Sequence, residues 1–324
     1  MPPSERSALM QEGDRLMTIC NSCRYCEGYC AVFPAMERRL EFPDGDLNYL
    51  ANLCHNCTDC LSACQYAPPH EFAVDVPKIL AEIRRKSYIE YARPIGLLSG
   101  PAIAAMTIVL AALGLIFTPH TSGGDFYAAI PHGVMVSVFG IAGLLVFVAW
   151  ALALLRLWKD QGERNARLFA FADMFRDATT LKYLASPARR LFHHFTFYGF
   201  LLCFASTCVA AFYDNVLGWK APYAYSSVPV VLGTLGGIGL IVGPIGLLRW
   251  RQAGIGLPFI SMLVATGLTG FALMIFRNTG AMAPLLGVHL AVVLALFITL
   301  PYSKFVHGIY RSAALFRYAL EQRD

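Results

Sequence analysis

Six long apolar stretches dominate the chain after residue 90. They run at about 95–117, 131–155, 191–213, 228–248, 256–276 and 285–306. In an α-helix, with its rise of ~1.5 Å per residue, each stretch is long enough to cross a hydrocarbon core of ~30 Å. The pattern therefore predicts six transmembrane helices, with a lipid bilayer as their surroundings.

The composition agrees with a membrane protein. Of the 324 residues, 56% are hydrophobic and only 15% are charged, and the mean hydropathy is +0.52, which is too apolar for a soluble globular chain. The net charge of +5 is modest, and the basic residues lie beside apolar stretches, so we expect no nucleic-acid partner. No N-terminal signal peptide is expected, because the first apolar stretch begins after residue 90.

Basic residues are divided unequally between alternate loops. The loop 118–130 has no Lys or Arg, and the loop 214–227 has only Lys220. The opposite loops hold Arg156, Lys159, Arg164, Arg167, Arg176, Lys182, Arg189, Arg190, Arg249, Arg251, Lys304, Arg311, Arg317 and Arg323. By the positive-inside rule, both termini and the segment before the first span are expected on the cytoplasmic side of a bacterial inner membrane.

The segment before the membrane carries two cysteine runs with identical spacing. The eight residues are Cys20, Cys23, Cys26, Cys30, Cys54, Cys57, Cys60 and Cys64. This spacing is typical of [4Fe-4S] clusters, in which three close thiolates and a fourth from the following helical turn hold the irons. In bacterial two-cluster ferredoxins the fourth Cys of each run ligates the other cluster.

That crossed pairing predicts two ligand sets. The first cluster takes Cys20, Cys23, Cys26 and Cys64, and the second takes Cys54, Cys57, Cys60 and Cys30. Zinc and disulfides are the alternatives, but structural zinc sites use separated C-x-x-C pairs and disulfides need an oxidising compartment. A Pro usually follows the fourth Cys in ferredoxins, whereas Ala31 and Gln65 do so here, which leaves the ligands unchanged.

These patterns predict a mainly α-helical protein in three parts. Residues 1–93 form an α-helical, two-cluster ferredoxin-like domain, 94–310 form a six-helix membrane domain with b-type haem, and 311–324 form a cytoplasmic C-terminal tail. In the first part, apolar residues recur at helical spacing between Val74 and Tyr91. They are followed by a basic cluster that we expect at the membrane surface, namely Arg84, Arg85, Lys86 and Arg93.

Two further patterns concern the membrane part. The segment from Asn165 to Leu184 places most of its apolar residues along one helical face, which predicts an amphipathic helix in the cytoplasmic interface. The fourth apolar stretch contains glycines that we interpret as close helix packing rather than a nucleotide-binding loop, since no strand precedes them: Gly233, Gly236, Gly237, Gly239 and Gly243.

Five of the eight histidines lie at the ends of apolar stretches: His132, His193, His194, His289 and His307. Ionisable side chains at membrane depth are costly and usually functional. His289 and His307 are eighteen residues apart in the sixth stretch. On one continuous helix this is five turns, so both are expected on one face, ~27 Å apart. The alternative is that each histidine simply hydrogen-bonds lipid headgroups at the interface.

The predicted topology supplies each of these two histidines with a partner. The second span starts outside at His132, level with His289, and the third starts inside at His193 and His194, level with His307. We therefore expect an outer b-type haem held by His132 and His289, and an inner one held by His307 with His194 or His193. Bis-imidazole ligation suits electron transfer because it leaves no open position on the iron. Two haems are favoured over one.

The predicted cofactors form a path for single electrons from a soluble site into the membrane. The sequence carries no dinucleotide or flavin fingerprint, no phosphate loop and no convincing acid-base pair. We therefore assign no catalytic residue and expect substrate oxidation on a partner chain. Quinone is the expected acceptor, because a lipid-soluble carrier can reach a haem within the membrane.

The residues CNSCRYCEGYCAVFPAMERR, together with the second cysteine run and the six spans, resemble the tricarballylate (citrate) utilisation protein B family over essentially the whole chain. The resemblance implies an electron-transfer protein that works with a flavoprotein, the A subunit, which dehydrogenates tricarballylate to cis-aconitate. The B protein would reoxidise the reduced FAD through its clusters. The membrane part is also similar in plan to the cytochrome b (gamma) subunit of respiratory nitrate reductase, whose last helix holds two haem-ligating histidines.

Two other functions fit the same residues. The chain could serve a different soluble enzyme, as a heterodisulfide-reductase-like or nitrate-reductase-like module, or it could be a membrane-anchored iron-sulfur redox sensor without turnover. Sharp bands of reduced haem would exclude the bare sensor. Reduction by tricarballylate only when the flavoprotein is present would select the first function.

Overall fold

The structure is a computed structural model that describes residues 7–118, 125–162, 167–250 and 256–323. No strand occurs among these residues, which confirms the predicted mainly α fold. Their α-helices are α1 (Ala8–Cys23), α2 (Val32–Glu37), α3 (Asp44–Leu53), α4 (Asp59–Ser62), α5 (Val76–Tyr91), α6 (Gly100–Phe117), α7 (Phe126–Ala129), α8 (His132–Asp160), α9 (Leu168–Thr179), α10 (Pro187–Asn215), α11 (Val228–Leu247), α12 (Gly256–Phe276), α13 (Met282–Thr299) and α14 (Val306–Glu321). Arg164, Asn165 and Arg251, which entered the sequence analysis, lie outside the described residues.

The chain divides into two units. The cysteine unit comprises Met1–Leu97, Ala149–Pro187 and Phe305–Asp324, and the membrane unit comprises Leu98–Val148 and Ala188–Lys304. Three segments that are distant in sequence thus fold together in the cysteine unit. The C-terminal segment, which the sequence analysis treats as a separate tail, is one of them.

Helices α1, α3 and α5 build the core of the cysteine unit. Met17, Leu50 and Ile83 are completely buried in it, and each such side chain stabilises the fold by about 1.5–3 kcal/mol. Ala314 and Leu315 of α14 lie in the same core. The C-terminal helix is therefore an integral part of the unit that carries the cysteines.

A buried group of charges joins α14 to α3 and its neighbours. Glu321 accepts hydrogen bonds from Arg39 at 2.6 Å and from Arg317 at 3.0 Å. Both arginines also pair with Asp46, and the hydroxyl of Tyr49 donates to Glu321 at 3.1 Å. The side chains of Arg39, Arg317 and Glu321 are only 7%, 5% and 6% exposed. Because buried charges need partners, each member of this group depends on the others.

Helix α9 occupies the segment predicted to be amphipathic. Its Ala170 is buried against Phe316 and Leu320 of α14. On other positions of the same helix, Leu168 is 87% exposed and Phe175 is 67% exposed. One side of α9 thus packs within the cysteine unit, while large apolar side chains stay uncovered, as an interfacial helix requires.

Six helices of the described residues are long and apolar enough to cross a membrane, namely α6, α8, α10, α11, α12 and α13. They carry many exposed large apolar side chains, for example Ile116 at 71% and Phe147 at 68%. Such continuous apolar surface is unfavourable in water and suited to lipid. The helices agree with the predicted multi-pass membrane protein.

Helices α10 and α11 approach each other closely through glycines. A Cβ atom on Gly199 would lie 2.8 Å from the carbonyl carbon of Gly239, and one on Gly236 would lie 2.7 Å from the backbone nitrogen of Cys203. Any side chain at these positions would push the helices apart. The interpretation of the glycines in the fourth apolar stretch as packing residues is confirmed.

The sixth span ends before His307, so the prediction of one continuous helix was wrong. Helix α13 ends at Thr299, a 3-10 turn follows, and α14 begins at Val306. Pro301 explains the interruption, because it has no N–H to donate and its ring clashes with the carbonyl four residues earlier. His289 and His307 therefore lie on different helices and do not share a face.

Candidate functional site

Four cysteine thiols from both runs line one cavity of the cysteine unit. Cys30 of the first run meets the second-run residues Cys54, Cys57 and Cys60 there. The remaining wall is largely apolar and includes Val32, Phe33, Val76 and Pro77. A site of four thiols with apolar walls suits an iron-sulfur cluster, since the walls limit contact between its sulfides and water.

Helix ends and left-handed residues position these thiols. Helix α3 stops at Leu53, so Cys54 begins a loop, and this loop turns through Asn56 (φ 54°) and Thr58 (φ 71°). Non-glycine residues adopt such positive φ angles rarely, and Asn does so more readily than most. The short helix α4 then carries Cys60.

Several N–H groups point at the cysteine sulfurs. The backbone N–H of Asn56 donates to Cys54 Sγ at 3.3 Å, and the side-chain amide of Gln65 lies 4.0 Å from Cys23 Sγ. Hydrogen bonds to the sulfurs favour thiolate over thiol, and they are one of the factors that set the potential of a bound cluster.

The other four thiols form a second group. Burial, followed by charge repulsion from the neighbouring thiols of Cys64, Cys26 and Cys23, raises the pKa of Cys20 to about 12. Both predicted sets of four are thus brought together. That they ligate iron stays a prediction.

The two runs differ in backbone conformation despite their identical spacing. Cys20 and Cys23 lie on the last turn of α1, which ends in left-handed Arg24 (φ 54°). Cys54, the counterpart of Cys20, lies beyond the end of its helix. The spacing of the cysteines predicts which thiols come together. The helices beside each run determine its backbone conformation.

The donor chemistry fits cluster binding. Burial raises the pKa of Cys30 to about 12, so this thiol would stay protonated at neutral pH until a metal replaced the proton. Within the described part of the chain, no three His, Cys, Asp or Glu side chains converge tightly enough to hold one metal ion. The thiols around a cubane bind four different irons and need not converge on one point.

Thr269 orients the imidazole of His289 in the membrane unit. The hydroxyl of Thr269 donates to the carbonyl of Ala265 at 2.7 Å and lies 2.9 Å from Nδ1 of His289, so we assign the proton between them to Nδ1. This leaves the lone pair of Nε2 available. A Cβ atom on Gly270 would lie 3.2 Å from the ring, so glycine leaves it room. His289 fits an axial haem ligand, because ligating histidines use their other nitrogen in this way.

His132 has a different arrangement. Its Nε2 lies 2.7 Å from Oδ2 of Asp214, and the hydroxyl of Tyr127 donates to the other carboxylate oxygen at 3.1 Å. An iron could reach this nitrogen only after Asp214 had left it. His132 as arranged here does not fit axial ligation. Of the two residues predicted to hold the outer haem, only His289 therefore fits.

The predicted inner haem ligands lie in different units. His193 and His194 belong to α10 in the membrane unit, and His307 belongs to α14 in the cysteine unit. Their pairing stays a prediction.

Comparisons with known proteins match both parts of the chain. Residues 87–324 match the family model described as Citrate utilization protein B, and residues 13–90 match the one described as Citrate utilization protein B Fer4-like domain. The chain belongs to the citrate utilization protein B family. One curated relative, Citrate utilization protein B of Escherichia coli, is 47% identical to it, and the alignment covers 96% of this chain and 92% of the relative. No solved structure matches the chain.

In this citrate utilization protein B family member, Arg84 contacts the cysteine site, which the sequence analysis did not predict. Its guanidinium donates to the carbonyl of Cys54 at 2.5 Å and to that of Ala51 at 3.2 Å. The helical spacing could have indicated this position, because Arg84 is four residues after Leu80, which is fully buried.

Arg311 is the second functional candidate that the sequence analysis missed in this family member. The sequence analysis used Arg311 only as one of the basic residues that orient the membrane spans. It lies on α14, three and four residues before Ala314 and Leu315 of the cysteine core. Its charge lowers the pKa of Cys30, although burial, the largest effect there, raises it. This effect could be foreseen only with the knowledge that α14 packs in the cysteine unit.

Proposed function

We propose that this protein is a membrane-bound electron-transfer subunit that reoxidises the FADH2 of a partner flavoprotein, tricarballylate dehydrogenase, and reduces quinone. The cavity lined by four cysteines carries this proposal. The match to a Fer4-like domain, the name of the relative and the six candidate spans support it. The unequal division of basic residues supports a cytoplasmic position of the cysteine unit at the inner membrane.

The proposed reaction balances in electrons and protons. Dehydrogenation of tricarballylate gives two electrons and two protons to FAD, and the reduced flavin releases the electrons one at a time. Two [4Fe-4S] clusters, when bound, supply one-electron redox chemistry at the two groups of thiols. Quinone takes up two electrons and two protons to become quinol. The chain's own residues hold the clusters and exclude water from them.

A reconstituted system tests this function. We expect anaerobic tricarballylate to bleach the cluster absorbance only when the flavoprotein is present, and a soluble quinone to restore it. The control omits the flavoprotein and uses dithionite, which should reduce the clusters directly. If the reduced flavoprotein leaves the clusters oxidised while dithionite reduces them, the partner is a different enzyme or the protein is a sensor.

We also propose a b-type haem at His289, as an additional electron carrier on the membrane side. The support is the orientation of this imidazole by Thr269 and the space beside it at Gly270. Its second ligand stays a prediction, with His132 the candidate from the sequence. The proposed flavin oxidation at the clusters does not depend on this haem.

Replacing His289 with alanine should lower the haem content of the purified protein by about one haem per chain, because the site loses its oriented imidazole. The measurement is a pyridine haemochromogen assay together with the cluster EPR signals, which should not change. His70→Ala is the matched control and should keep all the haem. Equal haem in the His289→Ala protein would show that this residue is not a ligand.

A further inference from the structure

A carboxylate in the membrane unit pairs with the histidine that was predicted to hold the outer haem. Asp214 lies in the last turn of α10, and its side chain is only 10% exposed. Its Oδ2 lies 2.7 Å from Nε2 of His132, and its Oδ1 accepts a hydrogen bond from the hydroxyl of Tyr127 at 3.1 Å. Because a carboxylate in a membrane span is costly, such a group is usually functional.

Other polar side chains in this region have partners of their own. Tyr223 donates its hydroxyl to the carbonyl of Ala210, one turn before Asp214. Arg277 donates to the carbonyl of Tyr223 at 2.6 Å. No lysine or arginine of the described chain forms an ion pair with Asp214. His132 is therefore the basic residue that is paired with this carboxylate.

Asp214 and Tyr127 fix the orientation of the His132 imidazole. We assign the proton between the two paired groups to Nε2, so that the carboxylate is ionised and accepts at both of its oxygens. In acid-base triads, a buried carboxylate in this position holds the imidazole and stabilises the imidazolium form. The ring of Tyr127 packs edge-on against the imidazole, with the centroids 5.2 Å apart. Nδ1 is the nitrogen that remains for a ligand.

The imidazole is open to its surroundings on one side. The side chain of His132 is 32% exposed, and a Cβ atom on Gly133 would have no atom within 4 Å. Further along α8, Val134 is 53% exposed and Val136 is 47% exposed. Apolar side chains exposed on a span face lipid. A molecule dissolved in the bilayer can therefore reach this imidazole from the lipid side.

The same group lies close to the proposed haem residue. Ala129 of α7, two residues after Tyr127, shares one buried apolar cluster with Leu286 of α13. Leu286 lies nearly one turn before His289 on that helix. The oriented imidazole of His132 and the proposed electron carrier thus belong to the same part of the membrane unit. Quinone reduction needs both, because each electron that the quinone gains is matched by a proton.

We propose that His132, oriented by Asp214 and Tyr127, binds the quinone head group through Nδ1 and gives it a proton. The inference rests on the quinone reduction of the proposed function, and it gives His132 a role other than the predicted haem ligation. When the quinone has gained an electron from this protein, the Nδ1–H bond breaks and an O–H bond forms on the quinone. The ring regains a proton from water at this end of the span. A second electron and a second proton complete the quinol.

Oxidation of the chemically reduced protein by a soluble quinone tests the proposal without the flavoprotein. The purified protein is reduced with dithionite, freed of excess reductant and mixed with duroquinone, and the return of the cluster absorbance is followed. In His132→Ala we expect the rate to fall by about 100-fold, as on loss of a general acid. The iron and haem contents should not change.

Substitutions on α10 separate a positioning role from a structural one. Asp214→Asn should also slow the oxidation, because the imidazolium loses its charge partner, whereas Asp214→Glu should restore most of the rate. Asn215→Ala is the matched control at the next position. Its side chain is exposed and donates only to the carbonyl of Ala211 in its own helix, so the rate should stay at the wild-type value.

The possible outcomes are distinguishable. An unchanged rate in His132→Ala or Asp214→Asn would overturn the inference. Loss of haem from His132→Ala would also overturn it, since the residue would then be the axial ligand predicted from the sequence. If the wild-type protein is not oxidised either, the proposed quinone reduction itself fails, and the role of His132 fails with it. If His132→Ala does not fold, His132→Gln is measured instead, and failure of both would show that the pair with Asp214 is only structural.

Discussion

Replacing Cys60 with serine should remove one of the two [4Fe-4S] clusters and abolish electron transfer from the flavoprotein to quinone. Cys60 lines the cavity with three other cysteines, and burial raises its thiol pKa strongly. A serine hydroxyl is much harder still to deprotonate, so it would not replace the thiolate ligand at neutral pH. Iron should fall from about eight to about four atoms per chain, with a matching loss of sulfide and EPR signal.

Cys208→Ser is the control for this substitution. Cys208 is exposed on α10 and lies outside both cysteine runs, so its replacement should keep all the iron and full quinone reduction. The haem content should be the same in both variants, because the cysteine change does not touch the membrane histidines. A Cys60→Ser protein with eight irons and normal flavin reoxidation would contradict the proposed role of this cavity.

The cysteine spacing predicted which thiols the fold brings together. The crossed grouping follows the two-cluster ferredoxin pattern, in which each run supplies three thiols to one cluster and its fourth to the other. The two backbone conformations could not be predicted in this way. Whether Cys20 sits on a helix and Cys54 beyond one depends on α1 and α3, whose lengths are set by their packing in the core.

The errors in the sequence analysis have identifiable physical causes. The sixth helix was extended through Pro301 because hydropathy continues across it, although the missing N–H ends the regular hydrogen bonding. The contact of Arg84 with the cysteine site was missed because its charge was considered and its helical spacing from Leu80 was not. The proline and the helical spacing were both visible in the sequence. The average hydropathy or charge of the segment was given more weight than either.

Local sequence patterns could not predict that α14 packs in the cysteine unit. Arg39 and Glu321 hydrogen-bond across 282 positions of sequence, and no periodicity or spacing links them. Contacts of this kind follow only from the complete tertiary fold, and in this protein they hold α14 in the cysteine unit.

Glu321→Ala should destabilise the cysteine unit by about 3–5 kcal/mol, the usual result of breaking a buried ion pair from one side. The change leaves Arg39 and Arg317 as buried cations that share a single carboxylate, Asp46, and it removes the acceptor of the Tyr49 hydroxyl. The midpoint of thermal bleaching of the cluster absorbance should fall by roughly 10 °C.

The matched control is Glu12→Ala, which breaks an ion pair of nearly the same length in an exposed position. Glu12 and Arg15 are 2.7 Å apart, and their side chains are 42% and 43% exposed. Exposed pairs contribute only about 0–1 kcal/mol, so this variant should bleach close to the wild-type temperature. Glu321→Ala removes a carboxylate from two buried arginines, and Glu12→Ala removes one from a single exposed arginine, so the comparison tests the buried group of charges against an exposed pair. If the two variants bleached at the same temperature, α14 would not be held to the cysteine unit by its buried charges.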